Sequence, residues 1–69
     1  MDKNKLLYFI KDRGYKVDEF CKQAGFGKSQ FYRRVNNESF TVKEIWAISE
    51  FLNLTLDDIN SIFFANFGS

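Results

Sequence analysis

The chain has no histidine, no proline and a single cysteine, Cys21, among its 69 residues. With no imidazole, one thiol cannot assemble a zinc site. A nucleophile–base pair would have to join Cys21 or a serine to a lysine or carboxylate in a cleft. A chain this short offers little cleft, so an enzyme is not expected, and no cofactor or metal is implied. One cysteine also excludes an intramolecular disulfide, and Cys21 reads as a small buried side chain rather than a redox sensor. The absence of proline removes the strongest helix breaker and suits helices joined by tight turns. No apolar run approaches membrane-spanning length and no signal-peptide pattern opens the chain. A cytoplasmic location is expected, in which case the sequons Asn37-Glu38-Ser39 and Asn53-Leu54-Thr55 are chance.

What the chain does have is apolar and aromatic mass. It is 45% hydrophobic, with nine Phe, three Tyr and one Trp, which argues against disorder. Its length allows one domain, residues 1–69, burying about 60% of the unfolded surface. The net charge of +1 says little, but its distribution is uneven. Residues 1–43 hold all ten Lys and Arg against five acids; residues 44–69 hold four acids and no base. Between Phe20 and Asn37 stand Lys22, Lys28, Arg33 and Arg34 with no acid. One basic and one acidic face are expected, an arrangement suited to docking on a polyanion.

Hydrophobic periodicity divides the chain into five helices. The first runs from about Asp2, a plausible N-cap, to Arg13, with Leu6, Leu7, Phe9 and Ile10 at helical spacing and Gly14 as a stop. The second covers about Val17–Ala24, with Asp18 and Glu19 in its first turn, where acids favour the helix dipole. Phe20, Cys21 and Ala24 form its inward stripe and Gly25 ends it. The third covers about Lys28–Asn36, with Phe31 and Val35 facing inward and Lys28, Ser29, Tyr32, Arg33 and Asn36 largely outward. The fourth opens on the capping box Thr41-Val42-Lys43-Glu44. Its apolar set, Val42, Ile45, Trp46, Ile48, Phe51 and Leu52, is broad enough to place this helix at the centre of the core. The fifth opens on a similar cap, Thr55-Leu56-Asp57-Asp58, and continues with Ile59, Ile62 and Phe63.

The segment from Val17 to Asn36 carries the functional signal. Two short helices meet at Gly25-Phe26-Gly27, a turn that needs glycine for positive φ. Cys21 is small enough for the second helix of the pair to cross over it. Phe20, Ala24, Phe26 and Phe31 are placed to pin the pair to the remaining helices. Other motifs fail. Gly27-Lys28-Ser29 matches the end of a P-loop, but Lys22 stands where the first glycine belongs and no strand precedes it. Gly25-x-Gly27 lacks the third glycine of a dinucleotide fingerprint, since Gln30 occupies that place.

The run Val17-Asp18-Glu19-Phe20-Cys21-Lys22-Gln23-Ala24-Gly25-Phe26-Gly27-Lys28-Ser29-Gln30-Phe31-Tyr32-Arg33-Arg34 resembles the helix-turn-helix of the phage Cro/C1 repressor type, the XRE family. Phe40-Thr41-Val42-Lys43-Glu44-Ile45 and Phe51 to Ile59 resemble that family's fourth and fifth helices, so the likeness covers nearly the whole chain. Two positions depart from the pattern. Lys16 stands where Ser or Thr usually caps the second helix, and Arg34 stands where Ile or Val is common, the apolar residue having moved to Val35.

The resemblance implies an all-α, compact five-helix bundle of the lambda-repressor-like class. It implies a sequence-specific DNA-binding regulator, a small phage or prophage repressor acting by operator occupancy. Lys28, Ser29 and Arg33 occupy positions where family members address base edges; Gly27, Tyr32 and Asn36 lie where phosphate contacts are typical, and Arg34 is added as a further phosphate contact. The chemistry agrees, since Lys and Arg donate to guanine O6 and N7, while Tyr and Asn donate to phosphate oxygens. Backbone N–H groups near Gly27 open a helix and suit a phosphate. Tyr32 has the alternative of packing its ring against a neighbour, and Arg34 that of a solvated side chain.

The expected partner is double-stranded DNA carrying a pseudo-palindromic operator, bound as a homodimer, with no membrane and no small-molecule ligand. Phe63, Phe64 and Phe67 mark the tail as a candidate dimer contact, because exposed aromatic patches mark interfaces; the alternative is that they fold back onto the first and fourth helices. Trp46 and the other Phe residues read as core. The rival function is a protein-interaction module, or an antitoxin, on the same scaffold.

Overall fold

A computed structural model describes residues 1–64. Its helices are α1 (Lys3–Asp12), α2 (Val17–Ala24), α3 (Lys28–Asn37), α4 (Val42–Leu52) and α5 (Leu56–Phe63), with no strand among the described residues. None of these helices is long and apolar enough to cross a membrane.

The helix starts follow from short-range chemistry. Asp2 accepts from the Lys5 N–H at 3.0 Å and caps α1. Thr41 Oγ1 accepts from the Glu44 N–H at 3.1 Å while Glu44 accepts from the Thr41 N–H at 2.8 Å, closing the capping box of α4. Thr55 and Asp58 repeat the exchange at α5, at 3.0 and 3.1 Å. At α2 only half of such a box exists. Glu19 accepts from the Lys16 N–H at 3.2 Å, but an ammonium cannot accept in return.

The α2–α3 turn rests on Gly25, whose φ of 85° is left-handed. The N–H groups of Gly25 and Phe26 both donate to the Cys21 carbonyl, ending α2. Gly27 differs from the expectation of a turn that needs positive φ. Its φ is −69°, ordinary backbone for an N-cap, and a Cβ there would meet only Gln30, at 3.8 Å.

α2 is the hub, packing against α1, α3 and α4, while α5 closes the bundle against α1 and α4. Leu6, Ile10, Phe20, Phe31, Ile48 and Ile62 are fully buried. Aromatic rings run through this core in sequence. Tyr15 meets Phe51 at 5.3 Å, Phe51 meets Phe20 at 5.4 Å, and Phe20 meets Phe31 at 5.5 Å. Phe31 then meets Phe40 at 5.8 Å, and Phe40 meets Phe63 at 5.8 Å. The Phe51–Phe20, Phe20–Phe31 and Phe40–Phe63 contacts are edge-on, and such pairs add roughly 0.5–1.5 kcal/mol each beyond area burial. Cys21 is buried in the core, and Ser49, the one buried polar side chain among the described residues, satisfies its hydroxyl on the Ile45 carbonyl at 2.6 Å.

Two placements differ from the sequence expectation. α4 is not apolar all round in its packing: Trp46 is 57% exposed and Val42 68% exposed, with Leu56 of α5 at 70%. The inward face of α4 is Ile48, Ser49 and Leu52. Phe63 is 7% exposed and its ring packs on Phe40, in the segment before α4, so it belongs to this protomer's core. Phe64, beyond it, is partly exposed, and Phe67 lies outside the described residues.

Candidate nucleic-acid interface

α3 is amphipathic in a way that fixes what it presents. Phe31 and Val35 are buried. At about 100° per residue, Arg33 projects opposite that pair, flanked by Ser29, Asn36 and Asn37. Gly27, Lys28, Ser29, Tyr32, Arg33 and Asn36 are all exposed, and Arg34 is half-buried. The structure therefore brings the seven expected DNA-contacting residues onto one helix and its N-cap.

The three cations of α3 differ in their surroundings. Lys28 Nζ lies 3.1 Å from Asp18 Oδ1 on α2. This contact raises the lysine pKa, chiefly through the hydrogen bond and then through the carboxylate charge. Arg34 turns toward α4, where its Nε lies 3.4 Å from Glu44 Oε2 and its Nη1 donates to the Ser39 carbonyl at 3.3 Å. It is thus neither a solvated side chain nor an uncommitted one. Arg33 has no ion pair or side-chain hydrogen bond among the described residues. The sequence could not show these pairings, since Asp18 and Glu44 reach α3 only through the fold.

Tyr32 is exposed, its ring meets Phe31 edge-on at 6.0 Å, and it lines a groove of about 400 Å³ with Leu7, Ile10, Tyr15 and Val17, edged by Lys11 and Lys16. The N-terminus of α3 is open in a specific sense: Gly27 supplies no side-chain cap. The first-turn N–H groups of a helix have no intrahelical acceptor, so this end is suited to an oxygen anion.

A second groove of about 360 Å³ lies between α4 and α5, lined by Trp46, Leu54, Leu56 and Ile59 with Glu50 at its edge. No sequence signal separated these outward apolar residues from the inward ones. Among the described residues there is no cluster of acidic or cysteine side chains able to hold a metal.

A family model of the Cro/C1-type HTH DNA-binding domain matches residues 5–64. No curated protein and no solved structure matches the chain significantly. The family match reaches into all five helices and includes the α2–turn–α3 unit with its exposed cationic face. The chain therefore belongs to the Cro/C1-type helix-turn-helix DNA-binding domains.

Proposed function

We propose that this chain is a sequence-specific transcriptional regulator, a small cytoplasmic repressor of the phage or prophage Cro/C1 kind that acts by occupying its operator. α3 enters the major groove. Lys28, Ser29 and Arg33 address base edges, and Tyr32, Asn36, Arg34 and the N–H groups at Gly27 engage phosphates. The observation that carries this reading is the exposed polar face of α3, with Arg33 opposite the buried Phe31–Val35 stripe and free of any ion pair among the described residues. Each good base contact of this type contributes roughly 1–3 kcal/mol of discrimination.

The protein acts as a symmetric homodimer on a pseudo-palindromic site, with two copies of α3 about 34 Å apart. Phe63 is consumed by the protomer core; exposed Phe64 of the tail, with Trp46 and Leu56, supplies apolar surface for such a contact. The same surface favours the rival reading, a module that binds another protein.

The test is a fluorescence-anisotropy titration of the protein against a random-sequence duplex library at low and physiological salt, with sequencing of the bound fraction. Enrichment of a two-fold symmetric motif, with affinity falling as salt rises, is the expected result. Absence of binding at either salt would leave the protein-interaction module as the reading. Charge reversal of Lys28 and Arg33 separates the two independently, abolishing function in the first and sparing it in the second.

A further inference from the structure

Asp18 stands in the first turn of α2 and Lys28 at the start of α3. The turn at Gly25 brings these two helix starts together, and the Lys28 ammonium lies within 3.2 Å of both Asp18 carboxylate oxygens. The side chains are 59% and 67% exposed, so the pair contributes little to stability. Its effect falls on what the ammonium is free to do. Lysine is a flexible point charge with three donors. Left alone beside a duplex it is drawn to phosphates, which are alike at every base pair and carry no sequence information. A carboxylate holding it from one side leaves at least one N–H for another acceptor and keeps the stem in place. The same carboxylate repels a phosphate approaching the start of α2.

We propose that Asp18 is a specificity determinant of DNA binding: it holds Lys28 as a base-edge donor and withholds it from the phosphate backbone. This rests on the DNA-binding reading of α3. The rest of the helix is consistent with such a device. Arg34 is likewise oriented by Glu44 and the Ser39 carbonyl through Nε and Nη1, which leaves its remaining N–H donors to meet a phosphate from a fixed direction. With a net charge of only +1, there is little long-range attraction to mask a change at one residue.

The experiment compares wild type, Asp18→Asn, Asp18→Glu and Asp57→Asn, each first checked for folding by thermal melting. Every protein is titrated across a salt series against two probes, a random-sequence duplex and the duplex enriched from the library. Asp57→Asn makes the same change in net charge at the start of α5. Asp18→Asn is expected to raise affinity for the random duplex roughly three- to tenfold at low salt, with a log–log salt slope steeper by about 0.9. Its gain on the enriched duplex is smaller, so the ratio of specific to random binding falls. Asp18→Glu keeps the wild-type ratio, and Asp57→Asn leaves it unchanged. Equal gains on both duplexes would reduce Asp18 to a source of repulsion and overturn the proposal, as would no gain on the random duplex. Either result, with wild type still selecting a motif, leaves the DNA reading standing. Failure of wild type to bind any duplex would remove that reading and the proposal with it.

Discussion

In the proposed reading of α3, Arg33 and its neighbours divide the work of recognition by what each side chain can donate. Arg33→Ala is expected to cost roughly 1–3 kcal/mol of discrimination at the base pair it reads. Tyr32→Phe removes one donor to phosphate and is expected to weaken binding to all sequences about equally. Titration of both variants against enriched and random duplexes distinguishes the two patterns. Phe31, on the opposite side of the helix, has no solvent exposure and touches the rings of Phe20, Phe26 and Phe40. Phe31→Ala is expected to cost roughly 3–5 kcal/mol in urea denaturation; a stable variant would contradict the assignment of the buried face. Burial pushes the Cys21 thiol pKa up, the nearby Asp18 charge adds to this, and Lys28 works against it. The folded state therefore holds the thiol proton more tightly than the unfolded one. This contribution is present below the ordinary thiol range and is lost as pH climbs from that range through the raised value of the folded state. Iodoacetamide at mildly alkaline pH is expected to alkylate Cys21 slowly in the native protein and rapidly in denaturant.

The five elements were legible in the sequence because their ends are set by local chemistry. Asp2, Thr41–Glu44, Thr55–Asp58 and Gly25 act within a few residues of themselves, and each does in the structure what its type and position imply. The turn gives a direct check. At Gly25 a Cβ would meet nothing within 4 Å, yet the φ of 85° strains any L side chain. Gly25→Ala is expected to cost about 1–2 kcal/mol. For Gly27→Ala, at ordinary φ, the about 0.4–1 kcal/mol gained from a stiffer unfolded chain offsets the poorer N-cap, so its melt stays close to wild type; paired thermal melts measure the difference. What stayed hidden depends on tertiary placement. The apolar residues of α4 span so wide an arc that periodicity could not tell Trp46 and Val42, which face solvent, from Ile48 and Leu52, which do not. Phe63 looked surplus at the chain end because nothing local signals Phe40, 23 positions earlier, as its partner. The Lys28–Asp18 and Arg34–Glu44 pairs escaped for the same reason: each joins two helices.

For the molecule as a whole, charge and apolar surface are segregated. The described acids after residue 43 have no lysine or arginine among them, while α3 carries Lys28 and Arg33 outward. In a homodimer the exposed Trp46 and Leu56 become covered, so Leu56→Asp is expected to shift sedimentation to the monomer while leaving the thermal melt close to wild type. Contact between the outer face of α3 and DNA is read residue by residue in an amide chemical-shift titration of the folded protein with its enriched duplex. The expected result is a set of large perturbations concentrated on residues 27–37 and the start of α2, with the α4–α5 groove changed little between the free and bound protein. Perturbations centred instead on Trp46, Leu54 and Leu56, with Arg33 and Ser29 unmoved, would contradict it.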